Sequence, residues 1–401
     1  LVLTIRLMKK IVKQDQDVIK QHNKLMILDI IKNKRPISRA EITKITRMSA
    51  TSIGRFVSEL CEEGVIRETE LTSSGVGRKA IMLDIEPGAL YTIGVDIEKK
   101  RISFGIMDFS ETIVAHHRVE HKALAGTPAE TAALICQEIR GMIARQGIPF
   151  EKVIGIGIGV PGVINYERGV VQLSSTLGWK DVAFAELIEK ELGIKTVIDN
   201  DLKVKILSEY LYGSAKGSNK TALIGIGTGI GSALIINGEV FRGGSNSAGE
   251  LGHTTLDPNG NLCECGKRGC LQTYIDENAL ILEARRVKEV TDVREVFAAA
   301  RNGERWAKEI VSRTALYIGI TINNIVCMYN PDTVILSGDL VENYREIVEL
   351  VEEHSDQVIW EPFKGKFRVI PSELRGEAIV MGAGALAMQH FAPLSGSWSG
   401  E

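Results

Sequence analysis

The sequence predicts an α/β protein with a small, mainly helical head and a larger body in two lobes. Three observations carry this. Three helical patterns crowd into residues 18–63 and are followed by two strand patterns around a basic tip. From residue 91 onward, strand and helix patterns alternate. The order β-β-β-α-β-α begins twice, each time with a hairpin, as expected of two lobes around a cleft. The expected boundaries are 1–85 for the head, 90–391 for the body and 392–401 for a flexible tail.

In the head, the first helix is expected from Val18 to Lys32, with Ile19, Leu25, Leu28 and Ile31 at helical spacing. Ser38-Arg39-Ala40-Glu41 reads as a capping box that opens a short second helix, Arg39 to about Ile45. The turn Thr46–Ser49 leads to a third helix, about Ala50 to Glu63, which turns Ile53, Phe56, Val57 and Leu60 inward and stops at Gly64. Two helices joined by a short turn make a helix-turn-helix. Val65–Glu70 and Ala80–Asp84 then pair as strands on either side of the basic stretch Ser73–Lys79, which completes a winged helix. Such a module enters the major groove with its third helix. Ser49, Thr51, Ser52 and Arg55 are the candidate groove contacts, and Arg78 and Lys79 the candidate wing contacts to phosphate or the minor groove.

Glu86–Ala89 reads as a linker. Tyr91–Ile97, Arg101–Asp108 and Thr112–His121 are expected strands, and Thr127–Gln146 a helix with Ala132, Ile135, Ile139 and Ile143 inward. Val153–Val160 is a buried strand ending at Pro161-Gly162. The second block starts with the strand Lys220–Gly227, the turn Thr228–Gly231 and the strand Ser232–Ile236. A long helix over Ala307–Tyr329, a strand over Thr333–Ser337 and a closing helix over Glu377–Gln389 complete it.

At 401 residues, with 44% apolar residues and a net charge of −3, the chain suits two or three globular domains. Residues 1–80 hold 16 Lys/Arg against 9 Asp/Glu, a balance of +7, so the rest carries −10. A basic head on an acidic body suits a nucleic-acid module. No uncharged apolar run is long enough to suggest a membrane span. The opening Leu1–Met8 is short, interrupted by Arg6 and followed by no small-residue cleavage site, so it is not read as a signal peptide, and a start at Met8 is an alternative. Three of the six cysteines, Cys61, Cys136 and Cys327, stand alone in apolar contexts, which fits reduced thiols in a cytoplasmic protein.

The other three form the most specific motif. His253, Cys263, Cys265 and Cys270 lie within eighteen residues of Gly-rich, turn-forming sequence. Three thiols and one imidazole are a tetrahedral zinc set, and the Cys-x-Cys-Gly-x-x-Gly-Cys loop is tight enough to gather its sulfurs on one ion. A structural zinc is therefore expected. The residues just before it, Gly249-Glu250-Leu251-Gly252-His253, look like a turn built to hold a sugar, which the metal would steady.

Between about residues 90 and 390 one set of motifs recurs in order: Gly159-Val160-Pro161-Gly162-Val163-Ile164, Gly178-Trp179, Asp199-Asn200-Asp201, Gly225–Gly231, Phe241-Arg242-Gly243-Gly244, Gly249–His253 and the cysteine knuckle. On these residues the chain resembles the ROK family (repressors, open reading frames, kinases) on the actin-like ATPase fold. The head resembles that of the xylose and N-acetylglucosamine repressor branch. In the family's kinases, the aspartate matching Asp201 takes the proton of the attacking sugar hydroxyl. The resemblance implies that Asn200, Asp201, Glu250, His253 and Gln272 hold sugar hydroxyls. Two departures concern the nucleotide. Asp96-Ile97-Glu98 replaces a glycine-rich phosphate turn, and Ile335–Asp339 keeps one glycine. Glycine lets backbone amides approach phosphate, whereas Glu98 would place a carboxylate there. The expectation is a sugar-responsive repressor, with no catalytic residue in use, that binds double-stranded operator DNA as a homodimer or tetramer and takes a sugar or sugar phosphate as effector, xylose first among candidates. An ATP-dependent sugar kinase, with Asp201 as base, and a repressor controlled by a protein partner are the alternatives.

Overall fold

The computed structural model describes residues 16–70, 81–120 and 127–392. The head opens with α1 (Gln16–Lys34), a two-residue strand β1 (Ile37–Ser38) and α2 (Arg39–Thr46). The capping box is present: the Ser38 hydroxyl accepts the Glu41 N–H, and the Glu41 carboxylate accepts the Ser38 N–H at 2.9 Å. After a three-residue turn, α3 (Ala50–Glu62) buries the expected Ile53, Phe56, Val57 and Leu60. Strands β2 (Ile66–Glu70) and β3 (Ile81–Ile85) pair antiparallel, and β1 joins the other edge of β3. Helices and sheet share one apolar cluster around Ile27, Ile31, Ile42 and Leu83. The wing tip, with Arg78 and Lys79, lies outside the described residues, as does the tail beyond Ala392.

The first lobe comprises β4 (Tyr91–Ile97), β5 (Arg101–Asp108), β6 (Ile113–Glu120), α4 (Pro128–Arg145) and β7 (Val153–Val160). A small three-stranded sheet follows, of β8 (Val163–Asn165), β9 (Val170–Ser174) and β10 (Trp179–Val182). Then come α5 (Phe184–Leu192) and β11 (Thr196–Asn200). The main sheet runs β11-β7-β4-β5-β6, with β4, β7 and β11 parallel. Its apolar face packs on α4 through Ala132, Ile135, Ile139 and Ile143.

Helix α6 (Asp201–Leu211) leads to the second lobe, which opens with β12 (Lys220–Ile226), β13 (Ile230–Ile236) and β14 (Glu239–Val240). After a long loop come α7 (Gln272–Ile275), α8 (Glu277–Ala284), α9 (Val293–Arg301) and α10 (Arg305–Tyr329). The lobe continues with β15 (Thr333–Ser337), α11 (Asp339–Asn343), α12 (Arg345–Val358) and β16 (Arg368–Pro371). Its sheet has the order β14-β13-β12-β15-β16, a five-stranded counterpart of the first lobe's sheet. Among the described residues α10 is the helix long and apolar enough to cross a membrane, but it packs Ile310, Ile318, Ile322 and Ile325 into this lobe's core.

The closing helix α13 (Ala378–Phe391) returns to the first lobe and lies on β4 and β7 and against α6. Glycine makes that contact possible. A Cβ at Gly157 would fall 1.9 Å from the Ala383 carbonyl oxygen, so any side chain there would push the helix off the sheet. At its far end, Met388 joins the head's apolar cluster with Phe109. Polar ties reinforce the seam: Lys32 pairs with Glu111 at 2.5 Å, and Arg35 donates to the Ser110 carbonyl at 2.8 Å.

Candidate functional site

The cleft between the lobes is organised by the step from β11 into α6. Asn200 is the N-cap of α6: its side-chain oxygen accepts the Leu202 and Lys203 N–H groups, and its amide donates to the Gly162 carbonyl at 3.0 Å. That leaves one amide hydrogen for a ligand. Asp201, the first residue of α6, has its carboxyl pushed up to about 6 by burial, against the opposing pull of the Leu202 N–H and of Lys205. A carboxyl poised near neutrality in a cleft suits a group that accepts hydroxyl protons.

Glu250 and His253 come from the loop after β14. Gly249 approaches β13 closely, accepting the Ser232 N–H at 2.8 Å, and His253 ends a single 3-10 turn over Leu251–His253. Glu250 is exposed and close enough to Asp201 to raise its pKa. The Gly249–His253 turn therefore borders the Asp201 side of the cleft.

Three cations of the cleft were not assigned roles by sequence reasoning. Arg242 donates to the buried Asp199 carboxylate at 2.7 Å and lies 4.0 Å over the Tyr166 ring. Lys203 is 3% exposed and donates to the Asn246 carbonyl. Lys205 pairs with Glu342 at 2.7 Å, and Glu342 also accepts from Ser337 and the Gly338 N–H. A signal existed: two lysines interrupt the apolar run Leu202, Val204, Ile206, Leu207 of α6, and a buried lysine needs an acceptor.

The metal motif closes as expected. Bridges Thr255–Cys270 and Leu262–Arg268 fold the loop back on itself, and the Cys263 N–H donates to the Lys267 carbonyl. Gly269 has φ 73°, and a Cβ there would fall 1.5 Å from the Asp257 carbonyl oxygen, so the knuckle requires glycine. One donor atom each from His253, Cys263, Cys265 and Cys270 lies within 4.8 Å of the others. The Cys265 and Cys270 sulfurs are 3.6 Å apart, and Cys263 Sγ is 3.7 Å from His253 Nδ1. A tetrahedral ion with sulfur bonds of ~2.3 Å sets sulfur–sulfur edges of ~3.8 Å, so the cluster fits one metal ion. Burial pushes the Cys270 thiol up to about 12, whereas the backbone N–H of Lys267 holds Cys265 below its ordinary value. Gln272 is 9% exposed, and its amide is turned toward Cys263 Sγ at 3.4 Å and Glu264 at 3.3 Å. It braces the cluster, because α7 begins two residues after Cys270.

Carboxylates crowd the turns that follow β4 and β15. Glu98 is gripped by the Arg101 guanidinium at 2.7 and 2.8 Å. Asp96 is 2% exposed with Oδ1 unpartnered, and burial, Glu98 and Asp201 together raise its carboxyl well above the usual range. Glu342 occupies the Gly338 N–H at 3.1 Å.

In the head, Ser49, Thr51 and Arg55 are exposed and Ser52 is half-buried. Ser49 also caps α3: its hydroxyl accepts the Ser52 N–H at 3.1 Å and meets the Ser52 hydroxyl at 2.9 Å. The Arg55 guanidinium lies 5.0 Å from the Phe56 ring centroid.

Residues 20–67 match a winged helix-turn-helix DNA-binding model, and residues 92–390 match the ROK family model. The chain is 29% identical over 380 residues to the xylose repressor of Bacillus spizizenii, covering 94% of this chain and 97% of that one. It is 24% identical over 391 residues to the DNA-binding transcriptional dual regulator NagC of Escherichia coli, covering 95% of each. The fold matches a ROK family transcriptional regulator, a homologue of the E. coli MLC protein, with a TM-score of 0.79, 23% identity and coverage of 92% and 95%. The body also matches a Streptomyces griseus ROK glucokinase in complex with glucose and AMPPNP, with a TM-score of 0.63, 25% identity and coverage of 75% and 99%. With three quarters of its length in that family's pattern and a winged helix-turn-helix in front, the chain belongs to the ROK family.

Proposed function

We propose that the protein is a sugar-responsive transcriptional repressor of carbohydrate-utilisation genes, working in the cytoplasm as a homodimer or tetramer on double-stranded operator DNA. Residues 1–85 are the DNA-binding unit and 90–391 the effector-binding unit. The observation that supports this reading is a winged helix in front of a ROK body in which the Gly249–His253 turn borders Asp201 while Asp96 and Glu98 set carboxylates where the family's kinases are expected to carry glycine. The effector lies against Asn200, Asp201, Glu250 and His253, with Gln272 behind them. Carboxylates and amides there suit hydroxyls. The nearby cations Arg242 and Lys203 are already engaged with Asp199 and the Asn246 carbonyl, which favours an uncharged sugar over a sugar phosphate. Xylose leads on the likeness to the B. spizizenii protein. Zinc suits the three thiols and imidazole. Its charge would hold the thiolates and fix the His253 ring through Nδ1, leaving the other ring nitrogen to meet a hydroxyl. For induction the sugar must bind the conformation that grips DNA poorly, since only differential affinity shifts the equilibrium.

Operator binding with and without sugars tests this. Tight binding to DNA upstream of the protein's own gene, released by one sugar, is expected; no DNA binding by zinc-replete protein would overturn it. Arg55→Ala is expected to cost about 1–3 kcal/mol and relax sequence preference at one position. Arg78→Ala should weaken binding to all duplexes alike and lower the salt slope by about 1. The second reading, a sugar kinase, rests on Asp201. No phosphoryl transfer from ATP is expected in a coupled assay over the same sugars, and turnover that disappears in Asp201→Asn would establish the kinase.

A further inference from the structure

We propose that Arg242, Tyr166 and His390 form a chain of positioning residues that carries the state of the effector turn to the winged helix. The inference rests on the repressor reading for its biological meaning, and on geometry for its route. Asp199 stands two residues before Asp201 and is buried. Its carboxylate holds Arg242, which follows β14 in the opposite lobe, at 2.7 Å. The Arg242 guanidinium lies 4.0 Å over the ring of Tyr166, just after β8. The Tyr166 hydroxyl is 3.4 Å from Nδ1 of His390, and the two rings meet edge to face at 6.0 Å. His390 is in the last turn of α13, between Met388 and Ala392, both of which pack in the head's apolar cluster. Short steps thus join the sugar turn to the seam of the DNA-binding unit.

The chain is also built to move. Arg242 is tied to the sugar loop, because the Ala248 N–H donates to the Arg242 carbonyl at 3.0 Å and Glu250 lies two residues further on. An effector that draws Glu250 toward Asp201 therefore pulls on Arg242. The guanidinium has one strong bond, to Asp199, and a longer one of 3.3 Å to the Val240 carbonyl, while its buried Nε has no partner. Such a group can exchange one arrangement for another without leaving a well-satisfied site. The Tyr166 end is stiffer. Tyr166 and Phe391 pack in one cluster with Val197, Val204, Leu207 and Leu386, so a shift at Tyr166 is passed to the end of α13 rather than absorbed. Coupling through packed elements with two arrangements is the physical form such communication takes.

The test uses the full chain, a duplex from upstream of its own gene, and D-xylose as probe. Operator affinity is measured with and without sugar for the wild type, Tyr166→Leu, His390→Leu and Tyr166→Phe. Sugar is expected to weaken operator binding on the order of tens-fold in the wild type and less than about threefold in the two leucine variants, with sugar-free operator affinity and D-xylose affinity kept. Tyr166→Phe retains the ring under the guanidinium and should keep most of the response, which separates the chain from simple loss of folding. Wild-type response in both leucine variants overturns the proposal. A second arm needs no sugar. Linkage is reciprocal, so operator alone should alter amide exchange over residues 241–249 in the wild type and not in His390→Leu. If it does while D-xylose has no effect, the chain stands and the choice of sugar falls. If operator leaves that loop unchanged in the wild type, the chain is wrong.

Discussion

Replacing Cys263 with serine is expected to strip the metal from the protein and weaken the sugar response. A serine hydroxyl stays protonated near neutrality and cannot stand in for a thiolate, so bound zinc should fall from about one ion per chain to a trace. The second lobe has its own large apolar core, so global unfolding is not expected. The damage should centre on residues 250–272, where the loop is held by two isolated bridges and a handful of turn bonds. Without the Cys263 thiol His253 loses the sulfur beside its Nδ1 and Gln272 its sulfur partner, and sugar affinity should fall about ten- to a hundredfold. Elemental analysis, calorimetric sugar titration and operator binding check the three parts. A variant that lacks zinc yet keeps wild-type folding, operator affinity and sugar release would show that the ion is not structural.

Asp201→Asn is expected to separate binding from stability. The substitution keeps shape and removes the charge. Hydrogen bonds to charged groups contribute about 1.5–3 kcal/mol, so sugar affinity should drop about ten- to a hundredfold at pH 7.5. The wild type should approach the same weakness as pH falls through about 6, where the carboxyl protonates. The stability change has the opposite sign. The folded protein holds this proton more tightly than the unfolded chain, whose carboxyl has the ordinary value of 3.8. Stability is therefore lost as pH rises from about 4 to about 6 and Asp201 is forced to ionise, by at most about 3 kcal/mol. The neutral amide of the variant carries no such cost, so the variant should melt higher than the wild type at pH 7.5 and equally at pH 4. Equal melting at both pH values would show that burial does not strain the carboxyl.

Much of the fold was legible because its signals are local. The capping box at Ser38, the inward faces of α3 and α4 and the strands Tyr91–Ile97, Arg101–Asp108 and Val153–Val160 all stand where period and cap put them. Other elements escaped. The sheet of β8, β9 and β10 has strands of three to five residues, too short to show a period. Helix α9 carried a readable signal, since Asp292 and Glu295 form its capping box. The site divides in the same way. The four metal donors were legible as a spacing, whereas Asn200 was read as a sugar contact and proves to be engaged as the cap of α6 as well.

The two-lobed repeat, the winged head, the metal donors and the acidic turn at Glu98 follow from local sequence, because each depends on residues close to one another along the chain. Which charges meet follows from packing alone. Asp199 meets Arg242 across 43 residues, Lys205 meets Glu342 across 137, and Tyr166 meets His390 across 224. A buried charge announces that it needs a partner, but not which one. The partner is set by how the two sheets and α13 pack, and no local preference of the chain encodes that.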